Sequence, residues 1–351
     1  MRIKKSNVIQ IKHVDLDILN NIDKLSTFSQ IGGIEVSVLD NGHGRGLRIA
    51  NFITGSGLNF KVVLDRAMDI SNAYYKGYSL AWISHKGITS NDISSSNWLG
   101  KFGGGLMTTC GLTHIGATEE DQYGKRELHD TISFIPAEVE SVIQPNLYTK
   151  SLGMSITGKM TQSTVFGPSL ELKRTISAEL GKAKIRIHDT IRNMGNQPVP
   201  HMLLYHINLG WPLIDENTQL RWQGKWKWRD HNNEKINARN DPKICMMPID
   251  SHQGSGESVV FIYPESDENG LCYCEAYNTT LEFGLRITFK KDQLPWLCNW
   301  QHWGKNEYVI GLEPGTNPPI GQSAARKEGS LIWIQQHKTR EYIIDFEIVY
   351  I

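Results

Sequence analysis

Residues 281–290, LEFGLRITFK, alternate apolar and polar side chains almost without a break. One face of an extended chain would carry Leu281, Phe283, Leu285, Ile287 and Phe289. The other face would carry Glu282, Arg286, Thr288 and Lys290. Because successive side chains of a strand point to opposite faces, this pattern predicts a strand with one face buried and the other in water.

The same alternation predicts more strands along the chain. In segment 220–228 it places Leu220, Trp222, Trp226 and Trp228 on one face of a single strand. Shorter runs of the same kind are 58–64, 170–176, 184–191 and 341–351. Turn-forming sequences separate them, among them Asp40-Asn41-Gly42, Gly195-Asn196, Glu268-Asn269-Gly270 and Asn317-Pro318-Pro319. Only residues 15–25 have the spacing of a helix, and that helix is predicted to be short.

The order of these elements favours one all-β domain. Strands do not alternate with helices, which argues against a Rossmann fold or a βα barrel. No repeat of fixed length is present, which argues against a β-propeller. We predict a large antiparallel β-sandwich over residues 33–351, preceded by an N-terminal extension over residues 1–32 that holds the short helix.

Composition excludes several classes of protein. The 351 residues include 37 Lys and Arg against 37 Asp and Glu, so the formal net charge is zero. Proteins that bind nucleic acids or anionic membranes usually carry a surplus of positive charge, so we expect neither as a partner of this protein. No apolar run reaches 18 residues, and charges interrupt the N-terminal segment, so we expect neither a membrane span nor a secretory signal. The five cysteines include no CxxC pair, which favours reduced thiols in a cytoplasmic protein. We expect the protein to be a monomer or a homodimer.

Two segments concentrate charged or imidazole groups, the second of them together with glycine. In the first, 64–70 (LDRAMDI), Arg66 stands between two aspartates. It is either part of a solvated turn with a local ion pair or an arginine presented to a polar ligand. The second runs from Phe102-Gly103-Gly104-Gly105 to His114 and continues at 127–130, where His129 stands between Leu128 and Asp130. Its glycines permit close approach of the backbone to a ligand or to another strand.

Two further segments place polar groups among apolar ones. His206 and Asn208, in 200–212, would share one face of a strand, either as a structural pair or as part of a site. Glu313 ends an apolar run directly before a Pro-Gly turn, where loops carry functional residues. Upstream, tryptophans surround Asn299 and His302: Trp296, Trp300 and Trp303. Aromatic faces suit the C–H faces of a sugar ring, although tryptophan also fills cores.

Taken together, these blocks resemble the aldose 1-epimerase (galactose mutarotase-like) superfamily, in a branch of its own. The matching blocks are LDRAMDIS (64–71), GGGLMTTCGL (103–112), LHDTIS (128–133) followed by Pro136-Ala137, YHINLGWP (205–212) and GLEPGTNPP (311–319). They are distributed over about residues 60–137, 198–215 and 296–330. The resemblance implies a large antiparallel β-sandwich, which the alternation had already predicted from the residues alone.

The resemblance also implies a role for particular residues. His206 matches the general acid of the family and Glu313 the general base. His129 matches the second histidine, a sugar-hydroxyl contact, except that Asp130-Thr131 stands where the family has two glycines. Asn208 and Trp303 are expected to contact the sugar. Arg66 is the first candidate for the substrate-binding arginine of the family, and Arg326 is the second.

We therefore expect an isomerase that interconverts sugar anomers by acid and base catalysis, with a monosaccharide or a sugar derivative as substrate and without a metal or organic cofactor. One alternative is a carbohydrate-binding protein without catalysis. Another is an epimerase or isomerase of an acidic or phosphorylated sugar on the same fold. A third is a metal-dependent sugar isomerase with His114, His129, His206 and Glu313 as ligands, although their spacing does not match HxH or HxxxH.

Overall fold

The computed structural model describes residues 17–90, 97–230 and 241–350. The strands in chain order are β1 (Gly33–Val38), β2 (Arg48–Ile53), β3 (Leu58–Val63), β4 (Asp69–Tyr75), β5 (Tyr78–Ser79), β6 (Thr108–Leu112), β7 (Glu119–Asp121), β8 (Gly124–Arg126), β9 (Glu138–Ile143), β10 (Gly153–Ser163), β11 (Ser169–Glu179), β12 (Lys184–Asn193), β13 (Val199–His206), β14 (Asn208–Gly210), β15 (Thr218–Trp222), β16 (Gly224–Trp228), β17 (Ser258–Pro264), β18 (Leu271–Asn278), β19 (Phe283–Lys290), β20 (Trp296–Gly304), β21 (Glu307–Gly315), β22 (Ile332–Ile334) and β23 (Thr339–Val349). The α-helices are α1 (Trp98–Lys101) and α2 (Gln322–Lys327). Short 3-10 helices lie at Leu19–Lys24, Phe28–Gln30, Gly42–Gly44, Ile132–Phe134 and Asp250–His252.

Three antiparallel sheets account for nearly all of these strands. The first has the order β1-β2-β3-β4-β5. The second, which we name the back sheet, has the order β15-β18-β19-β23-β12-β11-β10-β9. The third, which we name the site sheet, has the order β16-β17-β20-β21-β13-β22, with β14 paired to β21 and β6 paired to β13. The protein is thus an all-β sandwich, as predicted.

The predicted half-buried strands are confirmed, with small changes of boundary. Residues 281–290 form β19, in which Phe283, Leu285, Ile287 and Phe289 are buried. The other predicted runs correspond to β3, β11, β12 and β23. The buried residues of these strands belong to one large apolar cluster, which also takes in the inward side chains of the site sheet. The core therefore lies between the sheets, and burial of one face selects the register of each strand.

The prediction of one strand over 220–228 is wrong. The chain leaves the back sheet after Trp222, which pairs with Cys274, and enters the site sheet at Gly224, which pairs with Pro264. Gly224 has φ +131°, and a Cβ there would lie 2.3 Å from the carbonyl oxygen of Tyr263. Trp226 and Trp228 pair with the core residues Ile262 and Val260, so the alternation continues across Gly224 and does not reveal that the chain changes sheets.

A buried ion pair joins the two large sheets. Arg174 of β11 donates to both carboxylate oxygens of Asp189 of β12, at 2.9 and 2.6 Å. Asp189 also accepts the hydroxyl of Tyr205 from β13, at 2.7 Å. A further nitrogen of Arg174 donates to Thr109 of β6, at 2.8 Å. Because each charge has several partners, burial is compensated, and the network fixes how the back sheet sits on the site sheet.

The N-terminal extension is described from residue 17 onward. The predicted short helix is a 3-10 helix at Leu19–Lys24, and Ile18 beside it is buried in the core. Residues 1–16 of the predicted extension lie outside the described residues. A boundary at residues 32–33 stays a prediction. Within residues 17–90, 97–230 and 241–350, no helix is long and apolar enough to cross a membrane.

Candidate functional site

A cavity of about 680 Å³ opens over the outer face of the site sheet. Its floor consists of side chains from neighbouring strands: Val259, Cys298, Trp300, His302, Val309, Glu313 and His206. Its walls come from segments around residues 82–86, 98–102, 116–117, 128–129 and 254–257. The volume falls within the range of roughly 300–1,000 Å³ that is usual for small-molecule sites.

Strand alternation decides which residues face the cavity. On β20, Cys298, Trp300 and His302 point outward into it, whereas Leu297 and Trp303 point inward and belong to the core. On β21, Glu313 lies on the cavity face while Leu312 lies in the core. The floor is therefore one side of a continuous sheet, which holds the polar groups at fixed spacing.

His206 stands at the end of β13 and is held by Asn208. The amide nitrogen of Asn208 donates to the carbonyls of Gly105 and His206, both at 3.0 Å. Its oxygen is therefore the atom that faces Nδ1 of His206, at 2.7 Å. Since that oxygen only accepts, Nδ1 carries the proton in the neutral ring, and Nε2 remains as an acceptor.

Glu313 lies beside His206 with one carboxyl oxygen unused. Oε1 of Glu313 is 3.2 Å from Nδ1 of His206. The Nδ1 hydrogen is directed to Asn208, however, and among the described residues Oε1 is a buried acceptor without a hydrogen bond. Cys298 lies directly opposite Glu313 in the strand register, and its thiol hydrogen-bonds to the carboxyl group. A buried carboxyl with a free acceptor on a cavity floor is ready to bind a ligand hydroxyl.

Gly311 makes room for this carboxyl group. It precedes Glu313 by two residues on the same face of β21. A Cβ at Gly311 would lie 2.1 Å from Oε1 of Glu313. The carboxyl group thus occupies the place that a side chain at residue 311 would take, and its position depends on that glycine.

Burial shifts the pKa of both groups toward their neutral forms. Desolvation lowers the pKa of His206 to about 4, although its hydrogen bond to Asn208 acts in the other direction. Desolvation raises the pKa of Glu313 well above its usual value, the hydrogen bond from the Cys298 thiol opposes this, and the negative charge of Glu257 adds to it. Both shifts favour a pair that holds one proton, which resides either on Glu313 beside a neutral His206 or on His206 beside an ionised Glu313.

His129 lines the cavity next to His206, with ring centroids 5.9 Å apart. The backbone N–H of Gly116 donates to its Nδ1 at 3.4 Å, so Nε2 carries the proton. Burial lowers the pKa of His129 well below its usual value, and the neighbouring His206 adds to the effect. His129 is thus a neutral donor next to the Glu313 pair.

The replacement of glycine by Asp130 after this histidine has a structural explanation. His129 and Asp130 have φ of +54° and +61°, a conformation that glycine adopts without strain. The carboxylate of Asp130 accepts hydrogen bonds from the backbone N–H and hydroxyl of Thr113, at 3.0 and 2.7 Å. It also accepts from Gln162 at 2.9 Å. Aspartate tolerates this conformation better than most residues, and its bonds hold the turn that presents His129.

Aromatic rings surround His206 on several sides. The ring centroids of Phe102, Trp300 and Trp98 lie 5.1, 5.3 and 5.8 Å from that of His206. Trp98 and Phe102 belong to α1 and its C-terminal end and stack on each other at 4.3 Å. These rings provide the apolar surface of the cavity and exclude water from the imidazole.

Two predicted substrate contacts lie outside the cavity lining. Arg66 is buried and donates to the carbonyls of Ser133 and Lys101, at 2.8 and 3.1 Å. Trp303 is fully buried in the core. Arg66 holds together segments behind the cavity wall, and Trp303 faces away from the cavity floor. Neither is placed to touch a ligand in the cavity.

Arg326, the second candidate arginine, lies outside it as well. Its guanidinium stacks between the rings of Tyr123 and Trp333, at 4.0 and 5.4 Å from their centroids. Asn208 is fully buried behind His206 and acts through it. The structure thus brings His206, Glu313 and His129 together at one cavity and places the other predicted residues behind or away from it.

Sequence reasoning missed several residues of the cavity: Trp98, Phe102, Arg229, Glu257 and Cys298, with Trp300 passed over for Trp303. On β20, alternation places Cys298, Trp300 and His302 on one face and Trp303 on the other, but it does not show which face lines the cavity. Within the described ranges, no group of three or more His, Cys, Asp or Glu is arranged to hold a metal ion. His114 instead bonds to the carbonyl of Ala117, at 2.9 Å.

Solved structures share this architecture at low sequence identity. A candidate aldose 1-epimerase from Klebsiella pneumoniae aligns with a TM-score of 0.81 and 23% identity, over 90% of this chain and 83% of that one. A galactose mutarotase-like protein from Clostridium acetobutylicum aligns with a TM-score of 0.62 and 11% identity, over 91% and 98%. A candidate mutarotase from Salmonella typhimurium aligns at 0.59 and 10%, over 95% and 100%. The fold is that of the galactose mutarotase-like proteins.

A family model narrows this class further. The model named "Domain of unknown function (DUF4432)" matches residues 44–348, most of the chain. The protein belongs to this family. A search of curated protein sequences found no significant match. The resemblance seen in the sequence is therefore confirmed at the level of the fold, and the site itself must indicate the chemistry.

Proposed function

We propose that this protein is an isomerase of the aldose 1-epimerase type, which interconverts the anomers of a sugar by opening and closing its ring. The observation that carries the proposal is the pair formed by His206 and Glu313. Their Nδ1 and Oε1 atoms lie 3.2 Å apart on the floor of a sugar-sized cavity, and one carboxyl oxygen has no partner among the described residues.

The reaction needs one group that gives a proton while another takes one. Glu313 accepts the proton of the anomeric hydroxyl, and His206 donates a proton to the ring oxygen. The C1–O bond of the ring breaks as the C1 carbonyl forms. Rotation about the bond between C1 and C2 then exposes the other face of the aldehyde, and the ring oxygen adds back with both proton transfers reversed.

A bound sugar would prepare the pair for this exchange. A hydroxyl that donates to the free oxygen of Glu313 stabilises the carboxylate, which counters the effect of burial on its pKa. The proton then resides on His206, whose Nε2 is the nitrogen not held by Asn208. His129 supplies a neutral N–H donor to the developing charge on oxygen, and the rings of Trp98, Phe102 and Trp300 cover the C–H faces of the sugar.

The test is anomer exchange followed by polarimetry or by NMR on freshly dissolved sugars. The panel should contain aldoses, ketoses and uronic acids, since the substrate is to be found. We expect the wild-type protein to accelerate mutarotation of at least one of them. Glu313→Gln and His206→Gln should each lower kcat by about 100-fold or more, because each removes one proton-transfer group.

A matched control is Glu265→Gln, which changes an exposed glutamate of the same type. It should exchange anomers as fast as the wild type. Unchanged rates in Glu313→Gln, with the melting temperature preserved, would contradict the assignment of the base. Binding of a sugar without faster exchange would instead indicate a carbohydrate-binding protein.

A further inference from the structure

We propose that Arg229 and Glu257 form a second half of the cavity that binds two neighbouring hydroxyls of an uncharged sugar, away from the reacting carbon. The inference rests on the proposed function, because it assigns the substrate class of the same cavity. Both residues line the cavity. They make it selective for neutral sugars over the corresponding uronic acids and sugar phosphates.

The two residues lie across the floor from the acid and base pair. The backbone N–H of Arg229 donates to Val259 of β17 at 2.8 Å, Val259 pairs with Trp300, and Trp300 pairs with Gly311. Three strand spacings, roughly 14 Å, therefore separate the backbones of Arg229 and Gly311. The arginine side chain and the indole of Trp300 lie within that span. The indole bonds to Glu257 and its centroid lies 5.3 Å from that of His206, so a sugar ring that lies over it would have one end at each polar group.

The pair presents donors and acceptors side by side. A terminal nitrogen of Arg229 donates to Oε1 of Glu257 at 2.8 Å, and Nε1 of Trp300 donates to Oε2 at 2.7 Å. Each carboxylate oxygen keeps a second lone pair, and the guanidinium keeps N–H groups beyond those bound to Glu257 and Asp230. A hydroxyl both donates and accepts, so adjacent hydroxyls complement this arrangement.

An anionic group would fit much less well. The charge of Arg229 is already balanced by Glu257 and by Asp230, which accepts from its Nε at 2.9 Å. A carboxylate or phosphate placed there has no proton to donate to Glu257 and would lie next to a like charge. The other charged residues of the described cavity lining are Lys86, Glu307 and Glu313, so carboxyl groups outnumber the cations.

The experiment compares glucose and galactose with glucuronic and galacturonic acid as probes, in the wild type and in Glu257→Gln. The substitution keeps the shape of the side chain and removes its charge. For the neutral sugar that is turned over best, we expect KM to rise about tenfold with kcat within about twofold, because the lost hydrogen bonds are made to hydroxyls that do not react. The constants are compared at the pH optimum of each protein, since loss of the Glu257 charge also lowers the pKa of Glu313. The preference of kcat/KM for the neutral sugar over its uronic acid should fall by about tenfold or more.

Arg229→Gln should raise KM for the neutral sugar as well, while Glu265→Gln should change neither constant. Melting temperatures within a few degrees of the wild type are required for each variant. A wild-type protein that prefers a uronic acid would overturn the inference. So would a Glu257→Gln variant with wild-type KM and selectivity.

A direct binding measurement separates this inference from the proposed reaction. If no sugar exchanges anomers faster, calorimetric titration of the same four sugars still tests the cavity. Weaker binding of the neutral sugar to Glu257→Gln, with Glu265→Gln binding it as the wild type does, would support the subsite even though the proposed reaction had failed. Equal affinity of the wild type and Glu257→Gln for every sugar would reject it.

Discussion

At the scale of single residues, the acid and base chemistry depends on how one imidazole is held. Asn208 uses both hydrogens of its amide on carbonyl groups, so its oxygen must accept from Nδ1 of His206. This fixes both the tautomer and the ring orientation without adding a charge. Asn208 is thus a positioning residue, whereas a carboxylate in its place would also shift the pKa of His206.

Two substitutions at this position test the role of the oxygen. Asn208→Ala and Asn208→Asp both lose the two N–H bonds to carbonyls, but only aspartate keeps an acceptor for Nδ1. We expect kcat to fall by about tenfold or more in the alanine variant and by less in the aspartate variant. The measurement is kcat for anomer exchange across pH 3–8.

The pH profile provides the decisive comparison. The wild type should lose activity as pH falls through about 4, because His206 and Glu313 are then both protonated and no base remains. In Asn208→Asp the added negative charge favours the protonated ring, so the acid limb should move to higher pH. An equal decrease of kcat in both variants, with the acid limb of the pH profile unmoved, would mean that Asn208 only bonds the neighbouring carbonyl groups and does not position His206.

At the scale of secondary-structure elements, β21 shows how a strand positions a side chain through its neighbour. Gly311 and Glu313 face the cavity, and the carboxyl group of the second lies over the first. The φ of Gly311 is outside the left-handed region, so alanine is compatible with the backbone there. A side chain at residue 311 would therefore displace the flexible end of the Glu313 side chain and leave the backbone in place.

Gly311→Ala should lower kcat by about tenfold or more, because its methyl group displaces the carboxyl from its place beside His206. The free energy of unfolding should change by less than about 1 kcal/mol. Gly153→Ala in β10 is the matched control, since its Cβ would meet no atom within 4 Å. Kinetics of anomer exchange and urea unfolding report the two effects, and full activity in Gly311→Ala would show that the carboxyl tolerates the shift.

This scale also shows what could be predicted from the sequence. Alternation was enough for β19 and β23, where one face is apolar throughout. It failed at Gly224, because the chain passes there from one sheet to the other while the alternation continues unchanged. On β20, tryptophans occur at both parities, so the pattern could not decide between Trp300 and Trp303 as the cavity residue. The partners of Arg66 are carbonyl groups, which no side-chain pattern reveals.

At the scale of the whole molecule, polar side chains join the two large sheets through the core. His201 of β13 donates from Nδ1 to the carbonyl of Leu112, at 2.8 Å, and its Nε2 accepts from the hydroxyl of Tyr342 in β23, at 2.8 Å. Burial lowers the pKa of His201 to about 4, although the bond to Leu112 opposes the shift. A protonated ring would lose the bond from Tyr342, which couples protonation to the stability of the sandwich.

The sign of this coupling is definite. A histidine in the unfolded chain has a pKa of about 6.5, so between about pH 6.5 and 4 the unfolded state binds protons that the folded state does not. The contribution of His201 to stability is therefore complete above about pH 6.5 and is lost as pH falls, by about 3 kcal/mol at pH 4. Glu313 has the opposite sign, so the share of His201 must be measured by substitution.

His201→Gln keeps a donor and an acceptor but does not titrate. We expect its free energy of unfolding to fall less steeply than that of the wild type between pH 6.5 and 4, measured by urea unfolding. His43→Gln, which changes an exposed histidine, should keep the wild-type slope. Parallel pH dependences of the wild type and His201→Gln would show that the ring does not contribute to acid sensitivity.

The division of the cavity into a floor of paired strands and walls of connecting segments has a consequence for how such a protein diversifies. Hydrogen bonds between β13, β20 and β21 lock the reactive pair in place, whereas connecting segments such as 254–257 contribute to the walls from outside these strands. Exchanging those segments between homologues would alter which molecule is accepted and spare the chemistry. An engineer seeking new selectivity should therefore graft the rim and leave the scaffold beneath it untouched.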